Sequence, residues 1–300
     1  MEKRRLGKTD MDVTVLGFGG AEIGFEEAAE DTVADLLNGA LDAGLNVIDT
    51  AECYRGSEEM IGRAVSNRRD EFYLFTKCGH PLGAESGANW SRDSILESIQ
   101  RSLKRLKTDK IDIVQLHSCS EAELRKGEAI GALQTARERG YTRYIGYSGD
   151  SRPAHYAVES GAFDTLQTSI NIADQEAIDL SVPLAREKQM GVIAKRPIAN
   201  AAWKTGHKPM DSYQHEYWER LRKLKYDFLQ HADLERTIAI ALRFTLSVPG
   251  VHTAIVGTSK PERWKQNAQF LEEGPLKEEE FNAVRERWED IAPRIWVGQV

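Results

Sequence analysis

The stretch Asn46-Val47-Ile48-Asp49-Thr50-Ala51-Glu52-Cys53-Tyr54-Arg55-Gly56-Ser57-Glu58-Glu59-Met60-Ile61-Gly62 holds a strand, a loop and the start of a helix in one short run. Asn46 to Asp49 reads as a brief apolar strand that stops at a carboxylate. Tyr54 follows on the loop, before a helix that begins near Ser57. Ser57 is the expected cap, and the acidic Glu58 and Glu59 suit the positive end of a helix dipole. An acid at a strand's end and a phenol on the next loop project into one space.

The same alternation recurs on both sides of this run. Upstream, Arg5-Leu6, a Gly7–Asp10 turn and Val13–Val15 form a small hairpin. A strand from Leu16 then runs into the glycines Gly17, Gly19 and Gly20, followed by a helical pattern over Glu26–Ala43. Downstream, strands are expected at Phe72–Lys77, Ile111–Leu116, Tyr144–Tyr147, Thr165–Ile172, Gly191–Ala194 and Thr253–Val256. Helices fall between them: Ile95, Ile99, Leu103 and Leu106 recur at helical spacing, and further helices are expected over Ala177–Lys188, Tyr217–Leu229, Leu234–Leu246 and Pro261–Leu271. About eight strand–helix alternations are the arithmetic of an α/β fold of the (β/α)8 TIM-barrel type. The strands are short and nearly continuously apolar, as strands buried on both faces must be. No linker or shift in composition divides residues 1–300, which read as one domain.

Composition narrows the function. The 300 residues are 41% hydrophobic with no run of membrane-spanning length, and the first residues lack a secretory apolar stretch. Three widely spaced cysteines (Cys53, Cys78 and Cys119) suit reduced thiols in a cytoplasmic protein, not a disulfide framework. A net charge of −7 argues against a nucleic-acid surface. His207 and His215 lie in a polar loop without metal-ligand spacing, so no metal is expected. Gly17-Phe18-Gly19-Gly20-Ala21-Glu22 fails as a dinucleotide fingerprint, because Glu22 stands at the third glycine position.

The polar residues that end the expected strands carry the chemistry. Asp49, Lys77, His117 and Ser148 close successive strands, and Lys195 and Arg196 close a later one. In a barrel all of them reach the C-terminal rim, where such enzymes keep their sites. Alone, each has an ordinary role: a strand terminator, a rim phenol, a snorkelling amine, a structural histidine. In order on neighbouring strands they make a site. Lys77, ending an apolar strand, needs a counterion, and Asp49 is one strand away. A lysine beside Tyr54 is expected to lower the phenol's pKa from its usual value of about 10. The phenol could then protonate a developing alkoxide while His117 donates a hydrogen bond to the same oxygen.

Asp49-Thr50-Ala51-Glu52-Cys53-Tyr54 with Gly56-Ser57-Glu58, then Thr76-Lys77, Gln115-Leu116-His117 and Gly146-Tyr147-Ser148, resemble the aldo-keto reductases. Gly257-Thr258-Ser259-Lys260-Pro261 with Asn267 resembles that family's cofactor motif, and the likeness runs from Leu16 to Asn267. The N-terminal hairpin resembles the one that closes the bottom of the family's barrel. The resemblance implies a tetrad of Asp49, Tyr54, Lys77 and His117, a small-molecule carbonyl substrate and NAD(P)H as hydride donor. It assigns cofactor contacts to Gly19 and Gly20, to Ser148, Gly149 and Gln167, and to Arg196, Pro197, Ile198 and Asn200. The adenosine end falls to Gly257, Thr258, Ser259, Lys260, Arg263, Gln266 and Asn267. Lys260 and Arg263 at a helix start suit a 2′-phosphate, so NADPH is expected before NADH.

The chain departs from the family pattern at three places. Gly149 stands where an asparagine is usual, Lys195 where an aromatic stacks on the nicotinamide, and Arg196 where a small hydroxyl residue is common and where a guanidinium would add to phosphate binding. Two other classes use the same residues differently: a Schiff-base aldolase built on Lys77, and a cofactor-sensing interaction protein with little turnover.

Overall fold

The computed structural model describes residues 1–80, 88–230 and 233–299. Lys3–Arg5 (β1) and Asp12–Thr14 (β2) pair antiparallel as a hairpin, with Lys3 opposite Thr14 and Arg5 opposite Asp12. Eight parallel strands follow: β3 Leu16–Gly19, β4 Val47–Asp49, β5 Tyr73–Cys78, β6 Ile111–His117, β7 Thr142–Ser148, β8 Thr165–Ser169, β9 Gly191–Lys195 and β10 Thr253–Gly257. They pair in sequence order, and β10 bonds to both β9 and β3, which closes the sheet into a (β/α)8 barrel.

Side chains alternate across each strand. One set, including Ile48, Leu74, Val114, Leu166 and Val192, faces the surrounding helices and forms the main apolar cluster. The other set points inward: Val47, Phe75, Ile113, Ile193 and Ile255 fill the lower barrel. Leu6, Met11 and Val13 of the hairpin complete that inner cluster and seal the bottom end. Two residues further along the same strands, the inward positions become polar: Asp49, Lys77 and Gln115 sit above Val47, Phe75 and Ile113. A dry floor thus supports a polar upper layer.

Several helices are shorter than the periodicity predicts. The helix expected over Glu26–Ala43 begins only at Glu30 and ends at Asp42; a separate short helix, Ala21–Phe25, precedes it, with Glu27 between them at φ +50°. The stretch before Lys188 divides into Glu176–Leu180 and Val182–Glu187, the second with Pro183 in its first turn, which has no backbone N–H to continue the first. The helix His215–Leu224 stops at Lys225, in the left-handed region, instead of running on to Leu229. Ser91 caps the helix Arg92–Arg105, accepting from the Ser94 N–H. Ser57 is not a cap: the left-handed Gly56 is the cap residue, and Ser57 is the first helical residue of Ser57–Val65. A helix absent from the sequence reading, Glu278–Ile291, packs Val284 and Trp288 against a second apolar cluster beside the rim. No helix among the described residues is long and apolar enough to cross a membrane.

Candidate active site

At the rim, β4 and β5 deliver Asp49 and Lys77 to each other. The Lys77 Nζ lies 2.5 Å from Asp49 Oδ2 and also donates to the Thr50 carbonyl at 2.8 Å. Both side chains are almost wholly buried. The other carboxylate oxygen, Asp49 Oδ1, accepts from Gln167 Nε2 at 2.8 Å and Gln115 Nε2 at 3.3 Å. Three donors therefore hold a buried carboxylate, which in turn holds the amine; such a pair survives burial only when its remaining lone pairs are satisfied.

Tyr54 stands over this pair, with the Lys77 Nζ 5.0 Å from its ring centroid. Its loop is tied down behind the site. Glu52, buried, accepts from Ser98 Oγ at 2.5 Å and Arg101 Nε at 2.8 Å on the helix Arg92–Arg105. Ser57 has taken a packing role in place of capping: its hydroxyl donates to the Gly20 carbonyl at 2.7 Å and meets Thr50 Oγ1 at 2.8 Å. That close approach requires glycine at position 20, since a Cβ there would lie 2.7 Å from Ser57 Oγ.

His117 ends β6 beside the tyrosine. Its ring is edge-on to Tyr54, with centroids 5.8 Å apart, and edge-on to His80 at 5.5 Å. Phe25 and Trp90 extend this row of rings, packing against Tyr54 and His80 respectively. Burial pulls the His117 imidazole well below its ordinary pKa, and the cations Lys77 and Lys195 add to the fall; the ring is neutral at physiological pH.

The electrostatics correct one expectation. Burial pushes the Tyr54 phenol up to about 12; Lys77 opposes the rise, and Asp49 adds to it. The lysine does favour the phenolate, but desolvation outweighs it, so the phenol is not acidified below 10. For Lys77 the balance runs the other way: burial lowers its pKa, while Asp49 and then Tyr54 raise it to a net value above the ordinary one. The amine stays charged and the phenol stays protonated.

Of the residues assigned to the cofactor, Ser148 and Gln167 are joined, the serine hydroxyl donating to Gln167 Oε1 at 3.0 Å. Gly19 and Gly257 are paired at the ends of β3 and β10. Gly149 is glycine for a local reason: a Cβ would meet the Tyr147 hydroxyl at 2.6 Å, and that hydroxyl is fixed by donating to the Cys119 carbonyl at 2.7 Å. Pro197, Ile198 and Asn200 form the turn after β9, and Asn200 has φ +52°. Arg196 differs from expectation. Its guanidinium donates to Ser169 Oγ at 2.8 Å, to Tyr213 at 2.5 Å and to the Gln299 carbonyl, and lies 3.6 Å from Asp150. Lys195 is likewise paired with Asp150 at 2.8 Å, so both cations are already partnered within the rim.

At the far end, Lys260 is the cap residue of the helix Pro261–Phe270 and forms no side-chain cap bond; Pro261 has no N–H and the Arg263 N–H donates to the Lys260 carbonyl at 3.1 Å, so Glu262 supplies the open amide of the first turn. Thr258 Oγ1 accepts from the Lys260 N–H at 3.0 Å. Neither Lys260 nor Arg263 forms an ion pair among the described residues, and Asn267 Oδ1 is buried without a hydrogen-bond partner. Two cations without ion pairs, the Glu262 amide and an orphaned acceptor fit the anionic nucleotide of a nicotinamide cofactor. Glu22 and Glu26, which the sequence reading left out of the site, also reach this loop: Glu22 packs on Gly257, and Glu26 accepts from the Ser259 hydroxyl.

The family model for the aldo/keto reductases matches residues 15–289, which spans every strand of this barrel and every residue of the tetrad. The chain belongs to the aldo/keto reductase family. It is 33% identical to the uncharacterized oxidoreductase YqkF of Bacillus subtilis, over 95% of this chain and 96% of that protein. It is 27% identical to L-galactose dehydrogenase of Arabidopsis thaliana, over 99% and 97% of the two. Among solved structures, the holo form of aldo-keto reductase AKR11C1 from Bacillus halodurans superimposes with a TM-score of 0.80 at 28% identity, covering 96% of both chains. The protein is thus an NAD(P)H-dependent oxidoreductase, and aldo-keto reductases act on small-molecule carbonyl compounds. Besides Glu22 and Glu26, the positions of Gln115 on Asp49 and of Cys53 on His117 are features sequence reasoning passed over. For Gln115 the signal was its place two residues before His117, on the same inward face.

Proposed function

We propose that the protein reduces an aldehyde or ketone to an alcohol, with NADPH as hydride donor and Tyr54 as the acid. The bound nicotinamide supplies hydride to the carbonyl carbon. This chain's residues supply the rest. The observation that carries the reading is the Asp49–Lys77 ion pair with Tyr54 over the amine and His117 edge-on to the phenol. A phenol near 12 keeps its proton at neutral pH and is still a far stronger acid than an alcohol, so protonating an alkoxide runs downhill. The phenolate left behind faces a fixed ammonium, which stabilises it without reorganisation. Neutral His117 can donate one hydrogen bond to the substrate oxygen and orient it.

The adenosine end supports the choice of NADPH. Lys260 and Arg263, beside the helix start, would hold a 2′-phosphate, with Thr258, Ser259, Gln266 and Asn267 around the adenosine. Ser148 and Gln167 would face the carboxamide, and Gly19, Gly20, Pro197, Ile198 and Asn200 the pyrophosphate side. The aldolase reading loses ground here, because an amine held protonated by Asp49 has no lone pair with which to attack a carbonyl. Three free cysteines suit a reducing cytoplasm.

The test is NADPH oxidation followed optically against a panel of aromatic and aliphatic aldehydes, ketones and aldose sugars. Turnover of at least one class supports the reading. Tight NADPH binding with no turnover across the panel would reject it in favour of a cofactor-sensing role.

A further inference from the structure

Neutral histidine carries one N–H, and which nitrogen holds it decides what the ring can do. Here the two nitrogens have different surroundings. The Nδ1 of His117 lies 3.4 Å from the Sγ of Cys53, the residue immediately before Tyr54 on the loop after β4. The Nε2 has no hydrogen-bond partner among the described residues. The ring's plane is set independently: Tyr54 and His80 both meet it edge-on, each at an interplanar angle of 84°, and His80 Nε2 lies 2.6 Å from the His117 carbonyl oxygen. Those contacts fix where the ring sits but not which nitrogen is protonated.

We infer that Cys53 is a positioning residue that selects the catalytic tautomer of His117: its S–H donates to Nδ1, which leaves the proton on Nε2 to face the substrate's carbonyl oxygen. The chemistry favours this direction, since an imidazole lone pair is a good acceptor and a thiol sulfur a weak one. The thiol has its proton to give, because burial pushes Cys53 up to about 11 even with Lys77 opposing the rise. One residue pair on adjacent positions then serves both donors to the reacting oxygen. Tyr54 provides the proton, and Cys53 aims the histidine.

The inference rests on the proposed carbonyl reduction for its kinetic consequence but not for its spectroscopic one. In the full chain with 15N-labelled histidine, the wild type should show His117 Nδ1 as the unprotonated, pyridine-type nitrogen and Nε2 protonated. In Cys53→Ala both tautomers should appear. With a carbonyl from the panel, kcat should fall about five- to tenfold, the worth of one buried hydrogen bond, with KM and NADPH affinity within about twofold. Cys53→Ser keeps a donor and should lie nearer the wild type in both spectrum and kcat. A wild-type proton on Nδ1 would overturn the inference. So would Cys53→Ala with spectrum or kcat unchanged, or Cys53→Ser no better than alanine. If no carbonyl is reduced at all, the tautomer spectra still decide the Cys53–His117 contact, while the proposed reaction fails separately.

Discussion

Replacing Lys77 with methionine keeps most of the side chain's volume and removes its charge, and two consequences follow from the geometry. The first is electrostatic. The ammonium lies 5.0 Å from the Tyr54 ring centroid. At an effective dielectric constant of about 20, a unit charge at that distance stabilises the phenolate by about 3 kcal/mol. Losing it removes about two powers of ten from the acid's ability to give up its proton. The second is structural, because Asp49 is left buried with an uncompensated charge, at a cost of about 3–5 kcal/mol. Gln115 and Gln167 still donate to its other oxygen and soften that cost. The double variant Asp49→Asn with Lys77→Met should therefore melt higher than Lys77→Met alone, yet be no more active. The assay is single-turnover NADPH oxidation with cofactor and carbonyl saturating, with NADPH affinity measured separately by fluorescence. Lys77→Met should lower the rate at least about 100-fold and move affinity less than about threefold. A rate within about threefold of the wild type would refute the electrostatic role of the lysine.

The cofactor end makes an independent prediction. Lys260→Met combined with Arg263→Met should weaken NADPH far more than NADH, and Glu26→Gln, which removes a carboxylate bound to Ser259, should shift the ratio of the two affinities toward NADPH; equal losses for both cofactors would reject the 2′-phosphate assignment. A pH dependence follows from Asp174, buried beneath the end of the chain, where it accepts from the Tyr217 hydroxyl at 3.1 Å and the Gln299 N–H at 3.2 Å. Burial, with Asp150 adding and Arg220 opposing, pushes its carboxyl from 3.8 up to about 7. The folded state thus holds this proton more tightly than the unfolded chain does, so the group's contribution to stability is full below 3.8 and is lost as pH rises toward 7. Asp174→Asn should remove that loss, which is on the order of 3 kcal/mol between pH 5 and pH 8, and narrow the fall in Tm over that range; an identical fall in both proteins would refute it.

The barrel was legible because its signal is spread over the chain. Each strand is short, apolar and followed by a helix, and one weak segment does not spoil the sum. The rim was legible for a related reason: side-chain parity along parallel strands puts Asp49, Lys77, Gln115 and His117 on the inward face once the strand ends are known. What escaped depended on competition between effects of similar size. Whether Lys77 or desolvation governs the Tyr54 phenol cannot be read from adjacency alone, and desolvation prevails. Ser57 has the chemistry of a cap, but the left-handed Gly56 takes that place and frees the hydroxyl to bind Gly20 at the end of the neighbouring strand. Arg196 pairs with residues distant in sequence, Ser169, Tyr213 and Gln299 among them. The helix Glu278–Ile291 was readable: Phe281, Val284, Trp288 and Ile291 form an apolar stripe that the dense charge of the segment obscures.

The proposed reaction turns on one hydroxyl group. In Tyr54→Phe, NADPH should bind within about threefold of wild-type affinity, while the single-turnover rate of carbonyl reduction drops by about 100-fold or more, the usual worth of a general acid. A Tyr54→Phe protein that oxidises NADPH against the same carbonyl at a rate within about threefold of the wild type would show that the proton comes from somewhere else.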